Sequence, residues 1–178
     1  GLTYNMRRTA ALSSDRDHDA EYDTPQTIAA IREAIESHGN TVVELEATPE
    51  LSTLLPAAAV DVVFNIAEGI GGRNREAQVP ALLELLGIPY TGSDPAAMSL
   101  ALDKSLAKQI VAQADCLTPT SMVMRTGKER LAKGLTFPMM VKPVAEGSSK
   151  GIAGSSVVES EAELREAAQQ LIQKYKQD

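Results

Sequence analysis

Short apolar runs alternate with helix-like segments over the first ninety residues. The runs at residues 2–6, 41–45 and 60–66 are rich in β-branched and other apolar side chains, which is typical of strands. The segments between them place apolar residues at the spacing of one helix face. Strands that alternate with helices form parallel sheets, so this order predicts an α/β fold with a parallel sheet. The nearly continuous apolar run at 60–66 predicts a strand that is buried on both faces.

The clearest helix of the chain is predicted to follow Thr24. Thr24 can cap its first turn, Pro25 suits the first helical position, and Gly39 can end it. The segment between these signals carries an apolar stripe of three isoleucines: Ile28, Ile31 and Ile35. This region is therefore expected to pack one face of a helix against the sheet.

The pattern changes near residue 95. A long helical region is predicted at about 96–114, and short strands are predicted at 120–124, 137–142 and 152–158. A last amphipathic helix follows and is expected to begin at a capping box. We therefore predict a second structural unit that starts near residue 96.

The composition of the chain argues against several classes of function. The chain has 178 residues, and its 17 Lys and Arg against 24 Asp and Glu give a formal net charge of −7. Without a basic cluster it is not expected to bind nucleic acid, and no apolar run approaches the roughly 20 residues that span a bilayer. The first residues do not have the pattern of a secretory signal, and the single cysteine fits a reducing compartment. We expect a cytoplasmic protein with neither nucleic acid nor membrane as a partner.

Residues 141–152 form the segment with the clearest chemical content. A strand ends in Lys142, a turn of glycine and serine follows, and the chain then returns to a strand. Glycines let the backbone approach an anion, and successive amides and hydroxyls can donate hydrogen bonds to it. The segment is not a Walker loop, because it lacks the G-x-x-x-x-G-K-[ST] spacing and does not open a helix. From spacing alone, an ordinary polar hairpin and a phosphate-binding loop both remain open.

Lys104 is a second cation of interest, about forty residues before that segment. It follows Asp103 near a predicted helix start. An acid in a first helical turn is favourable in its own right, so the pair can be a solvated helix start with no ligand. Alternatively, Lys104 joins Lys142 in holding an anion.

Several motifs in order resemble the D-alanyl-D-alanine ligase family of ATP-grasp enzymes. They span nearly the whole chain: F-N-I at 64–66, a glycine-rich stretch at 69–72, G-I-P-Y-T-G-S at 87–93, L-D-K at 102–104, T-P-T at 118–120 and K-P-V-A-E-G-S-S-K-G-I at 142–152. The resemblance implies a Rossmann-like parallel-sheet domain at 1–95. It also implies that 96–178 is the first α+β part of an ATP-grasp domain.

The resemblance implies an ATP-dependent ligase that makes a peptidoglycan precursor. Such an enzyme phosphorylates a carboxylate and lets an amine attack the acyl phosphate. Lys104 and Lys142 match residues that contact the nucleotide phosphates, and the Ser148 hydroxyl resembles a serine that orients substrate. Segment 146–151 resembles the family's mobile flap over the phosphates. Its other residues are expected to contact ATP: Glu146, Gly147, Ser149 and Gly151.

Glu68 departs from the family pattern, which usually has a His-Gly pair in contact with the first substrate. Here Glu68 precedes Gly69. A carboxylate at this position would favour a cationic amine and disfavour a bare carboxylate, unless Arg73 or Arg75 compensates. We therefore expect Glu68 to bind substrate, with amino acids other than D-alanine as an alternative. The acidic segment at 13–23 is expected to be a plain solvated loop, since its spacing fits no calcium loop.

Length is the larger departure. The family continues with an adenine-binding hinge and a lobe that carries the magnesium ligands, so this chain resembles the front half of a ligase. We expect ATP and small amino acids as partners, magnesium ligands outside these residues, a homodimer through the N-terminal domain, and no turnover from the 178 residues alone. A non-catalytic nucleotide-binding or dimerisation module is the alternative from another class.

Overall fold

A computed structural model describes residues 1–8 and 20–177 of the chain. They form two compact units, Gly1–Ser99 and Leu100–Asp178. Each unit has its own strands and helices, and each is described by itself below. No helix within the described residues is both long enough and apolar enough to cross a membrane.

The first unit is built on a three-stranded parallel sheet. The strand order is β2-β1-β3, and Leu2 of β1 pairs with Glu44 on one side and with Phe64 on the other. The elements in chain order are β1 (Leu2–Tyr4), α1 (Pro25–Glu36), β2 (Glu44–Glu46), α2 (Leu51–Ala58), β3 (Phe64–Asn65) and α3 (Gln78–Leu86). The predicted mixed α/β fold with a parallel sheet is confirmed, although the strands are shorter than the apolar runs that predicted them.

Helix α1 begins and ends as its sequence predicts. The Thr24 hydroxyl accepts a hydrogen bond from the Thr27 amide at 3.2 Å, and Pro25 occupies the first turn. Ile28 packs against Leu2 and Tyr4 of strand β1. The apolar stripe of α1 therefore covers one face of the sheet.

The opposite face of the sheet carries the larger apolar cluster. Helices α2 and α3 supply half of its buried side chains, and Leu55, Val63 and Leu83 are completely buried. Burial of a side chain of this size contributes roughly 1.5–3 kcal/mol. This cluster holds β3 in place, and β3 leads directly into the segment that carries Glu68.

The strand at 60–66 is not buried on both faces as predicted. Val63 is fully buried, but Val62 and Phe64 keep 51% and 39% of their surface exposed. Successive side chains of a strand point to opposite faces, so these two lie on the α1 side of the sheet. Helix α1 packs on Leu2 and Tyr4 there and leaves the β3 edge of that face uncovered.

The second unit combines helices with a small antiparallel hairpin. Its elements are α5 (Lys104–Gln113), β4 (Met139–Met140), β5 (Val157–Val158) and α6 (Glu161–Tyr175), and α4 (Pro95–Leu102) leads into it. Strands β4 and β5 pair through Met139 with Val158. The predicted strand at 120–124 is not formed, and these residues run as an extended segment without a ladder partner in the described part of the chain.

Asp103 divides the predicted long helix in two. Its side chain accepts hydrogen bonds from the amides of Ser105 and Leu106, both at 3.0 Å, and thereby caps α5. Asp103 itself has an extended backbone and is 4% exposed. A helix cannot pass through a residue in that conformation, so α4 ends at Leu102 and α5 begins at Lys104.

We predict that Asp103→Ala destabilises the protein by about 1 kcal/mol, and by up to about 2, because two amides lose their acceptor. Urea unfolding followed by circular dichroism measures the change. Thr24→Ala, which removes the exposed cap of α1, is the control and should cost less. An Asp103→Ala variant as stable as the unsubstituted protein would contradict this role for the cap.

Candidate functional site

A groove of about 1170 Å³ runs through the second unit. Its walls come from α5, the extended segment at 118–124, the strand region at 134–144 and one face of α6. Among the residues that the structure describes, its lining includes three lysines and neither aspartate nor glutamate: Lys104, Lys108 and Lys142. In a chain with net charge −7, this groove therefore attracts anions.

The remaining lining residues are of two kinds. Four methionines and several aliphatic side chains make apolar walls, and hydroxyl groups lie among them. The methionines are Met122, Met124, Met139 and Met140, and the hydroxyl-bearing residues are Ser105, Thr118, Thr120, Ser121 and Thr136. Flexible thioethers adapt to flat apolar groups, while ammonium and hydroxyl groups donate hydrogen bonds to phosphate. The lining thus suits a ligand with one apolar end and one strongly anionic end.

Lys104 is fixed at the groove by two bonds to the hairpin connection. Its backbone amide donates to the Val144 carbonyl at 3.0 Å, and its ammonium group donates to the Glu146 carbonyl. Because Asp103 starts α5 at this residue, the first turn of the helix is joined to the segment that follows Lys142. The start of α5 and the hairpin connection therefore form one side of the groove.

Lys142 reaches the same groove from strand β4. The Val141 amide donates to the Ser156 carbonyl at 2.8 Å, which extends the β4–β5 pairing up to this point. Lys142 is exposed and lines the groove. The structure thus brings together the two lysines that the sequence singles out, although they are 38 residues apart in the chain.

The glycine-serine segment 146–151 does not line this groove. The Glu146 carboxylate pairs with Lys150 at 2.9 Å and accepts a hydrogen bond from the Gln177 side chain at 2.7 Å. Gln177 also accepts from the Ala145 amide at 2.7 Å. The start of the segment is therefore tied to the end of α6, and the five predicted site residues of this segment lie outside the lining: Glu146, Gly147, Ser148, Ser149 and Gly151.

Ser148 and Ser149 hold unfavourable backbone conformations at the tip of that segment. Their φ angles are +42° and +62°, in the left-handed region that side chains disfavour, and both residues are exposed. Gly151 also has a positive φ, and a Cβ there would come within 2.7 Å of Pro143 and 2.9 Å of Tyr175. The segment thus combines a strained, accessible tip with a close-packed base.

Glu68 lies in the first unit, just beyond the carboxyl end of β3. The Asn5 side chain, just beyond β1, accepts hydrogen bonds from the amides of Glu68 and Gly69 at 2.8 and 2.9 Å. Asn5 in turn donates to the Ala47 carbonyl at 3.1 Å. A Cβ on Gly69 would lie 2.0 Å from the Arg75 carbonyl oxygen, so that position accepts only glycine. The backbone that carries Glu68 is therefore fixed from both sides.

The Glu68 carboxyl is held in an environment that disfavours its charge. Burial first, and then the negative charges of Glu76 and Glu21, raise its pKa from the usual 4.5 to about 7. Arg75 acts in the opposite direction but does not balance them. Glu68 is consequently protonated in part near neutral pH.

Arg75 is already engaged by another carboxylate. Its guanidinium donates to both oxygens of Glu21, at 2.9 and 3.0 Å, and the two side chains are 8% and 2% exposed. The prediction of a solvated acidic loop at 13–23 is wrong for Glu21, because the arginine that pairs with it lies 54 residues away and loop composition does not reveal it. The acidic segment also includes Asp15, Asp17, His18 and Asp19, which lie outside the described residues.

No group of three or more His, Cys, Asp or Glu side chains is placed to hold a metal ion in the part of the chain that the structure describes. The described residues offer two candidate sites, each within one unit: the cationic groove in the second unit and the Glu68 region in the first.

Known proteins are similar to this chain over most of its length. Residues 110–177 match the family model described as the D-ala D-ala ligase C-terminus. The chain is 41% identical over 138 residues to a D-alanine–D-alanine ligase of Pseudomonas entomophila, and 36% identical over 168 residues to that of Aquifex aeolicus. These matches cover 76% and 94% of this chain, and 42% and 56% of those enzymes.

A solved structure shares the fold of the chain. The D-alanine–D-alanine ligase from Bacillus anthracis, complexed with ATP, superposes with a TM-score of 0.71 at 20% identity. The match covers 98% of this chain and 53% of that one. The chain thus spans about half the length of the curated relatives that it matches.

We predict that Glu68→Gln stabilises the protein more at pH 8 than at pH 5. The raised pKa means that the folded state holds the proton more tightly than the unfolded state, so Glu68 costs stability as pH rises from about 4.5 through about 7. Glutamine carries no charge and removes that cost. Melting temperatures of both proteins across this range measure the effect, and a difference that does not vary with pH would contradict the raised pKa.

Proposed function

We propose that the chain belongs to the D-alanine–D-alanine ligase family over the part of those proteins that it spans, and that it forms part of an ATP-dependent carboxylate–amine ligase. The observation that carries this proposal is the groove of three lysines without a carboxylate among its described lining residues; Lys142 and most of the lining lie within residues 110–177, which match the family model. The proposed reaction forms an acyl phosphate from an amino acid and ATP. An amine then displaces phosphate to give an amide bond, as in the synthesis of a peptidoglycan precursor.

The charge and the apolar walls of the groove suit ATP. We propose that the apolar walls with their four methionines take the adenine ring and that Lys104 and Lys142 contact the phosphates. Phosphoryl transfer depends chiefly on positioning and on groups that stabilise the charge of the transferring phosphoryl. Two ammonium groups held on separate elements can offset that charge without having to reorganise. A related structure in complex with ATP supports this assignment.

We propose that segment 146–151 covers the phosphates when the nucleotide is bound. Its strained tip at Ser148 and Ser149 supports this role, since unfavourable backbone conformations persist at sites where function requires them. The amides of the tip would donate to phosphate oxygens, and the Ser148 hydroxyl would orient the substrate. A covered acyl phosphate is protected from hydrolysis. In the proposed enzyme, Glu146 and Gly151 hold the base of this cover.

The edge of the first unit is the proposed site of the first amino acid. In the sheet, β2 lies on one side of β1 and β3 lies on the other. The strand order therefore reverses between β1 and β3. Ligands of open α/β sheets bind outside the carboxyl ends of strands at such a point. Asn5 and Glu68 lie there. We propose that Glu68 contacts the first substrate in this crevice.

A second candidate substrate class follows from the state of Glu68. Arg75, which is bound to Glu21, offsets the acids around Glu68 only in part. This environment favours an amine and disfavours a bare carboxylate. A ligase for amino acids other than D-alanine is therefore the alternative within the same reaction type.

The remaining assignments complete the proposal. Residues 1–95 serve as the Rossmann-like domain and 96–178 as the first part of the ATP-grasp domain. Magnesium accompanies the nucleotide, and the ligase works in the cytoplasm, where ATP is available. A homodimer through the first domain stays a prediction.

We predict that Lys142→Ala weakens ATP binding about tenfold or more and abolishes ligation by the full protein, because a charge-assisted contact to phosphate is lost. Calorimetry with ATP measures affinity, and phosphate release against a panel of D- and L-amino acids measures ligation. Lys104→Ala is expected to be less severe.

Lys128→Ala is the matched control for Lys142→Ala. It removes an exposed lysine of the same unit that does not line the groove. Unchanged ATP affinity in Lys142→Ala, or an equal loss in the control, would count heavily against the nucleotide assignment.

We predict that Glu68→His changes the amino-acid preference of the full protein more than its affinity for ATP. The substitution replaces a partly protonated acid with an imidazole, while the backbone of Glu68 stays fixed by Asn5. The same phosphate-release panel reads out the preference. Identical kinetics for every amino acid tested would refute a substrate contact at this position.

A further inference from the structure

Lys108 is the third lysine of the groove, and the proposed contacts to ATP do not use it. It lies four residues after Lys104 on α5, so the two side chains project from the same face of the helix, about 6 Å apart along its axis. Both line the groove. Like charges at this spacing repel each other, and an anion bound nearby would offset that repulsion.

The ammonium group of Lys108 is held in place by a neutral partner. It donates to the Thr118 hydroxyl at 2.6 Å, a contact that is partly buried. An ammonium group has three donors, and this bond uses one of them. Lys108 forms no ion pair with any carboxylate of residues 1–8 and 20–177. Its charge is therefore positioned without being neutralised.

Thr118 belongs to the wall that faces α5. It opens the extended segment at 118–124, which lines the groove over its whole length. The bond from Lys108 thus joins α5 to that wall in the same way that Lys104 joins α5 to the hairpin connection. Helix α5 presents one positioned ammonium group at each of two successive turns.

We propose that Lys108 is a further polyphosphate-binding residue, positioned by Thr118, and that Lys104, Lys108 and Lys142 together contact the triphosphate of one nucleotide. This inference rests on the proposed nucleotide function of the groove. The one-turn spacing lets the two lysines of α5 contact different phosphates of the same chain. Lys108 therefore favours a triphosphate over a monophosphate.

Calorimetric titration of the protein with ATP and with AMP tests the proposal. Lys108→Met keeps the apolar stem and removes the charge, and it should weaken ATP binding roughly tenfold while changing AMP binding much less. Lys108→Arg should restore most of the ATP affinity. Lys128→Met is the matched control and should bind both nucleotides as the unsubstituted protein does. Thermal unfolding of each variant establishes that the compared proteins are folded.

Thr118→Val tests the positioning bond. It keeps the Lys108 charge but removes the hydroxyl, so it should weaken ATP binding less than Lys108→Met does. The double variant should bind ATP as Lys108→Met alone does, because Thr118 acts through Lys108. Additive losses in the double variant would contradict this positioning role.

Two results would overturn the assignment of Lys108. The first is an ATP affinity of Lys108→Met equal to that of Lys128→Met, and the second is an equal loss of ATP and AMP affinity that Lys108→Arg does not restore. If Lys142→Ala weakens ATP binding and Lys108→Met does not, this inference alone fails. An unsubstituted protein that binds no ATP overturns the proposed function together with this inference.

Discussion

The bond between the Lys104 amide and the Val144 carbonyl joins the two elements on which the groove depends. It exists because Asp103 ends one helix and caps the next, which leaves the first amide of α5 available to the hairpin connection. From this junction, α5 presents its lysines on one side and strand β4 presents Lys142 on the other. A continuous helix from α4 through α5 would direct that amide to its own preceding turn, and the hairpin would lose its attachment.

Charge is distributed unevenly over the molecule. The chain is acidic overall, yet its groove is lined by lysines with no carboxylate among the described lining residues. The edge of the first unit has the opposite character, since Glu68 lies among Glu21 and Glu76 and its pKa is raised. The proposed reaction needs both characters, because a polyanion is held in one place and an amino acid carrying an amine in another. Burial strengthens the second of them, since charges interact more strongly away from bulk water.

Local signals in the sequence predicted much of this arrangement. Thr24 and Pro25 mark the start of α1, and the spacing of motifs around Lys104 and Lys142 identified two lysines that do share a groove. The exposure of one face of β3 could not be predicted, because Val62 and Phe64 have strand-forming side chains but lie where none of the described helices covers them. The pairing of Glu21 with Arg75 was also hidden, since it depends on tertiary structure across 54 residues. The T-P-T motif at 118–120 contributed to the family resemblance but did not reveal the bond from Lys108 to Thr118, because a hydroxyl shows its partner only once the chain is folded.

The fixed glycine beside Glu68 separates the shape of this turn from the side chain that it carries. Gly69 admits no side chain, because a Cβ would meet the Arg75 carbonyl, and Asn5 binds main-chain amides and no side chain of this turn. The hydrogen bonds that hold the turn therefore do not depend on which side chain stands at position 68, as long as the residue keeps its amide hydrogen. An exchange of the carboxyl group for another functional group would change the chemistry at this edge of the sheet and leave the main chain in place.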